Sequence, residues 1–170
     1  MAAIGPEDYV RRVLVMAVGL TPQVVTETIY ALAVARRPPW VPTEVLLLTT
    51  KEGAVRARLT LLDPDIGQFH RLCEDHGLTG QVRFDDARIL AIGAPGPPLH
   101  DIRTAAENGQ AADAITALVR SLCEDEQAAV HVSIAGGRKT MGFYLGYALS
   151  LFGRGQDRLS HVLVNEPFES

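Results

Sequence analysis

Residues Val130 to Phe152, VHVSIAGGRKTMGFYLGYALSLF, constrain the fold more than any other stretch, because an apolar run of strand length passes through two glycines into a helical pattern. Val130 to Ile134 suits a strand buried on both faces. Met141, Tyr144, Leu145, Ala148, Leu149 and Phe152 then recur at the spacing of one helical face. Ala135 to Thr140 is therefore a turn from strand to helix. Gly136 and Gly137 permit positive φ and close backbone approach, while the unpaired N–H groups of a first helical turn carry the positive end of the helix dipole. With Arg138 and Lys139 beside them as mobile charges, the stretch reads as a site for anionic groups, phosphate above all. A common Gly-Gly turn followed by two solvated cations is the plain alternative. No P-loop is present, since Arg138 stands where that motif needs glycine, and Ser133 lacks the flanking glycines of a serine-hydrolase elbow.

The same alternation recurs along the chain. Arg12 to Val18 is an apolar run, and Thr21-Pro22 supplies an N-cap and first-turn proline for a helix with Val24, Val25, Thr28, Ile29, Leu32 and Ala33 as its buried stripe. Arg36-Arg37-Pro38-Pro39 ends it. Glu44 to Thr49 is a second strand, followed by a helix from Lys51 to Leu62 with Gly53 as a weak point. Asp63-Pro64 breaks this helix before another from Asp65 to about His76. Asp86 to Ile92 is a third strand, Gly93 to Leu99 (GAPGPPL) an irregular loop, and a helix runs from about Gly109 to Cys123. Glu124 to Glu126 and Gly153 to Arg158 read as polar turns, and Leu159 to Val164 as the last strand. Such an order predicts an α/β, Rossmann-like doubly wound and mostly parallel sheet with helices on both faces, in a single domain over residues 1–170.

Ligands of such sheets bind beyond the carboxyl ends of the strands. Four segments gather there: Gly19-Leu20-Thr21-Pro22-Gln23, Thr50 to Gly53, Gly93 to Thr104, and Ser133 to Thr140. The first has one glycine where a dinucleotide fingerprint needs three, which disfavours a nicotinamide oxidoreductase. His131 and His161 fall in strands, as core or interface residues, and His70 and His76 fall on a helix; His100 alone lies in the ligand loop. Neither a metal-ligand cluster nor a cofactor motif is evident, and Cys73 and Cys123 read as buried thiols of a cytoplasmic protein. A net charge of −4 argues against long nucleic acid as partner but allows a compact anion. There is neither a membrane-length apolar run nor a signal-peptide pattern.

Four stretches together, SIAGGRKTMGFYLGYALSLFG, VMAVGLTPQVVTETIYAL, EVLLLTTKEGA and LHDIRTAAENGQAAD, resemble the CRISPR-associated ring nucleases in order and over nearly the whole chain. The resemblance implies the CRISPR-associated Rossmann fold (CARF domain) and a homodimer that binds cyclic oligoadenylate, most often cyclic tetra-adenylate, across its two-fold axis. It also implies metal-independent cleavage by the ribose 2′-OH, leaving linear products with a 2′,3′-cyclic phosphate and switching off type III CRISPR signalling. On that resemblance Lys139 stabilises developing charge, Arg138 is a second anion contact, and the N–H groups of Gly136 and Gly137 line the phosphate. Thr21, beside Gly19, Leu20 and Gln23, matches the small hydroxyl residue that orients the ribose. Thr50 lies in the second-strand segment on the same edge. Asp101, Arg103, Thr104 and Asn108 are expected over the ring from the irregular loop, with Ser133 and Thr140 as hydroxyl contacts. Relatives of this kind are expected to continue past a segment like PFES. A non-catalytic sensor or sponge for the same ring is the alternative.

Overall fold

In the computed structural model, which describes residues 4–93 and 96–162, the chain forms five strands. They are β1 (Arg11–Ala17), β2 (Glu44–Thr49), β3 (Ile89–Ala91), β4 (Ala128–Ser133) and β5 (Arg158–Ser160). Their order is β3-β2-β1-β4-β5, with every neighbouring pair parallel. Val13 to Ala17 and all of β4 are buried, as a parallel sheet covered on both faces requires. Because side chains alternate along β1, Leu14 and Met16 face one layer of helices and Val13, Val15 and Ala17 the other. The first layer is α1 (Val24–Tyr30), α2 (Lys51–Leu61) and α3 (Gln68–Asp75); the second is α4 (Ala105–Cys123) and α5 (Lys139–Phe152). Strand order reverses between β1 and β4, so the doubly wound, Rossmann-like expectation is met.

Several boundaries differ from expectation, each for a local reason. Thr21 does not cap a helix: residues 22–23 form a turn, Val25 N bonds Pro22 O, and α1 begins after Gln23. Its last turns widen to π geometry over Ala31–Ala35. Gly53 is no weak point but a necessity. A Cβ there would collide with the Thr49 hydroxyl, which is buried and donates to Val18 O at 2.7 Å. Asp63 accepts the amides of Asp65 and Ile66, which holds them in a turn and delays α3 to Gln68. A tight turn over Asp86–Arg88 shortens β3. α4 starts at Ala105 rather than near Gly109, because Thr104 and Glu107 form a capping box. Asp125 is not merely solvated: it accepts from Arg11 Nη1 at 2.8 Å and from the Gln127 amide. The expected end of the last strand at Val164, the PFES tail, and positions 94 and 95 of the irregular loop lie outside the described residues.

His131, expected in the core, lies in β4 at 5% exposure, with its ring 5.0 Å from that of Trp40. Nε2 is 2.8 Å from Ser160 Oγ, while Nδ1 has no partner among the described residues. Burial, reinforced by the charges of Arg36 and Arg158, lowers its pKa from 6.5 to about 4. The unfolded chain therefore takes this proton first as pH falls. The contribution of neutral His131 is complete above pH 6.5 and is lost toward pH 4, on the order of 3 kcal/mol in all. Urea unfolding between those limits should show a stability slope that is markedly flatter in His131→Leu; equal slopes would refute the assignment.

Candidate functional site

The turn between β4 and α5 is built by its two glycines. Gly136 (φ 97°) and Gly137 (φ 70°) occupy left-handed backbone conformations that other residues rarely adopt. A Cβ on Gly136 would lie 2.9 Å from Val24 Cγ1, and one on Gly137 would lie 3.2 Å from the Ala17 backbone. The turn therefore packs directly on the carboxyl end of β1, and Gly19 of the β1 loop sits against Gly137.

Arg138 becomes the N-cap of α5 and Lys139 its first residue, two positions earlier than the turn ending at Thr140 expected from the sequence. Lys139 and Thr140 are exposed, and Lys139 has no ion-pair partner among the described residues. Arg138 is not the mobile charge expected. Its Nε and Nη2 grip Asp101 of the β3 loop at 2.6–2.9 Å. Hydrogen bonds from Arg138 first, then from Arg103, and from the Ile102 amide hold the Asp101 carboxyl well below the usual carboxylate range.

All four segments expected at the carboxyl edge meet there. Val18, Gly19, Leu20, Thr50, Glu52, His100, Asp101, Arg103, Gly137, Arg138 and Met141 enclose a recess of about 310 Å³. Beside it, an open groove of about 660 Å³ is bordered by Arg103, Thr104, Asn108, Gly137, Arg138, Lys139 and Thr140. A third, of about 610 Å³, runs from Gly136–Lys139 along α5 past Phe143 and Tyr147 to Leu159. The Gly136–Lys139 turn thus borders all three.

Some expected contacts also have structural duties. Thr104 Oγ1 accepts the Glu107 amide as the α4 cap. Asn108 is on that helix, not in the loop, and its Nδ2 donates to Tyr144 Oη at 3.0 Å. The Thr50 hydroxyl accepts the Gly53 amide to cap α2, and Ser133 is fully buried with its hydroxyl accepting the Ala135 amide. Thr21, Leu20 and Gln23 are exposed. Relieved of the capping role, Thr21 keeps a hydroxyl with no hydrogen bond among the described residues. Sequence reading missed Glu52, on the recess wall one residue into α2, and the pairing of Asp101 with Arg138. Glu52 sits within a segment already placed on that edge; the pairing has no local signal.

Among the described residues no group of three or more His, Cys, Asp or Glu is arranged to hold a metal ion, and no helix is long and apolar enough to cross a membrane. The sequence family described as CRISPR-associated protein NE0113 matches residues 21–170. No curated protein matches the chain. Among solved structures, Enterococcus italicus Csm6 bound to cyclic hexa-2'-fluoro-hexa-dAMP is similar, with a TM-score of 0.53 and 11% identity over 91% of this chain and 34% of that one. The chain spans about a third of that protein's length, and the likeness at this identity is one of fold.

Proposed function

The chain belongs to the CRISPR-associated protein NE0113 family, and from that membership we propose that its carboxyl edge binds a cyclic oligoadenylate and opens the ring. The observation that carries this reading is the Gly136–Lys139 turn, where an exposed lysine with no ion-pair partner among the described residues begins a helix after two exposed, positive-φ glycines, at the positive end of the helix dipole. The cyclic hexa-2'-fluoro-hexa-dAMP held by the similar Csm6 supports the ligand class. Cyclic tetra-adenylate is the ring we assign.

The reaction follows from what the ligand brings with it. Its ribose 2′-oxygen attacks the adjacent phosphorus, the P–O5′ bond breaks, and the proton lost from the 2′-OH is balanced by one gained at O5′. Attacking and leaving oxygens must be in line, so the protein's task is orientation and charge stabilisation. Lys139 and the N–H groups of Gly136 and Gly137 stabilise the non-bridging oxygens. Thr21, free of any capping duty, orients the ribose. Single-turnover incubation with cyclic tetra-adenylate in EDTA tests this. Linear products ending in 2′,3′-cyclic phosphate support it; a ring bound but left intact would make the protein a sensor or sponge.

A two-fold ligand calls for a two-fold receptor. On α5, Phe143, Tyr147 and Leu151 are exposed by 65%, 54% and 56%, and no charged residue follows Lys139 on that helix. Phe143, Tyr147 and Leu159 of β5 line one groove, which is continuous with the Gly136–Lys139 turn. We assign this face to a second copy, which would bring two Gly136–Lys139 turns around one ring. Tyr147→Glu should then yield a monomer by light scattering and abolish ring opening; a dimer that survives this change would place the interface elsewhere.

A further inference from the structure

The loop after β3 and the turn after β4 are joined through a single carboxylate. Arg138 donates from Nε and Nη2 to Asp101 Oδ1 at 2.9 and 2.6 Å, and from Nη2 to Oδ2 at 2.6 Å. On the other side Arg103 Nε donates to Oδ2 at 2.9 Å, and the Ile102 amide donates to Oδ1 at 2.8 Å. Both carboxylate oxygens are thus spent, whereas neither guanidinium is. Arg138 Nη1 and both terminal nitrogens of Arg103 have no partner among the described residues.

The placement gives these unspent donors a use. Asp101, Arg103 and Arg138 border the 310 Å³ recess, and both arginines also line the open groove that holds Lys139 and Thr140. The trio therefore stands on the rim between two cavities, with two positive charges against one negative. Its Arg103 arm is fixed to the start of α4, because Glu107 accepts the amides of Arg103 and Thr104 at 2.8 Å each.

Resting on the ring-binding reading above, we propose that Asp101 is a positioning residue that locks Arg103 and Arg138 into one two-armed clamp for a ring phosphate. Arginines exposed to this degree, 80% and 50% at the side chain, would otherwise wander and repel each other. Bridging them in the ligand-free protein means that less side-chain freedom is lost when phosphate arrives. The sign of the expected effect is opposite to simple Coulomb reasoning. Deleting a negative charge from an anion site ordinarily strengthens anion binding; here it should weaken it.

The test titrates wild type, Asp101→Asn, Asp101→Glu and Arg103→Ala/Arg138→Ala, the last with and without Asp101→Asn, against cyclic tetra-adenylate and, separately, inorganic pyrophosphate. Asp101→Asn should bind both probes roughly tenfold more weakly, the size expected for one rotamer-rich side chain released from its bound pose. Asp101→Glu should recover part of this, and Asp101→Asn should cost nothing further once both arginines are gone. In the ligand-free protein, the arginine Nε–H resonances of Arg103 and Arg138 should be sharp in wild type and lost in Asp101→Asn at an unchanged melting temperature. Tighter or unchanged binding by Asp101→Asn overturns the clamp, as does wild type that binds neither probe. Wild type that binds pyrophosphate but not the ring would sink the ring reading, leaving the pyrophosphate series to decide the clamp.

Discussion

Lys139→Ala is expected to slow ring opening by about 10²–10³-fold at saturating ligand, the usual cost of removing one donor aimed at developing charge. The side chain is exposed and makes no ion pair among the described residues, so its loss removes no packing and the melting temperature should not move. Arg138, by contrast, already shares its charge with Asp101. Its replacement should weaken binding more than it slows the bound ring. Single-turnover rates at two ligand concentrations separate the two effects. Should Lys139→Ala open the ring at the wild-type rate, charge stabilisation would have to come from another group on the rim.

Asp157→Asn should destabilise the fold by roughly 3 kcal/mol, within the range for breaking a buried ion pair from one side. The Asp157 side chain is 1% exposed and its partner Arg154 23%. Asp157 Oδ1 accepts the Val130 amide at 2.8 Å, tying the last turn to β4, and Oδ2 accepts the Arg154 amide and Nε. Arg154 in turn donates to Asp125 O and Ala128 O. Burial alone would push the Asp157 carboxyl up, but the hydrogen bonds from Arg154 and from the Val130 and Arg154 amides together outweigh it and leave it lowered. Its stabilisation is therefore complete above its unfolded pKa, near 3.8, and fades as pH falls through the folded value. Urea midpoints at neutral pH should differ strongly between wild type and variant, and the gap should shrink in acid. A gap under about 1 kcal/mol at neutral pH would mean that Arg154 finds another partner. The same carboxylate shapes its neighbour Cys123, whose thiol is pushed up to about 11 by burial and by this charge and so resists oxidation.

Which parts of this were legible beforehand follows the range of the interactions. β1, β2, β4 and α5 announce themselves because burial on both faces, or on one stripe, dictates residue type position by position. The meeting of four segments at the carboxyl edge was also legible, since the topology of an alternating parallel sheet brings them together. Thr21-Pro22 misled because a good capping pair is equally good in a turn. Thr104-x-x-Glu107 was a readable capping box overlooked beside the proline-rich loop. Asp101 with Arg138, and Asp157 with Val130, could not be read: each joins residues far apart in sequence, where type alone names no partner.

The position of β1 has a consequence for how the chain acquires its shape. Arg11, near the start, pairs with Ala128 on one side and β1 pairs with β2 on the other. The central strand thus waits, as the chain is synthesised, for a partner made much later. The buried apolar residues that pack with α1 to α3 all precede β4 in the chain, and of that layer's contacts those of Trp40 with His131 and of Val24 with Gly136 wait for it. We expect folding to be polarised, that layer consolidating first and the long-range closure onto β4 limiting the rate. Binding competence would then be the last property to mature, because Gly136 and Gly137 take their shape against Ala17 and Val24 only on that closure. Pulse-labelled hydrogen exchange that found β4 protected before β2 would contradict this order.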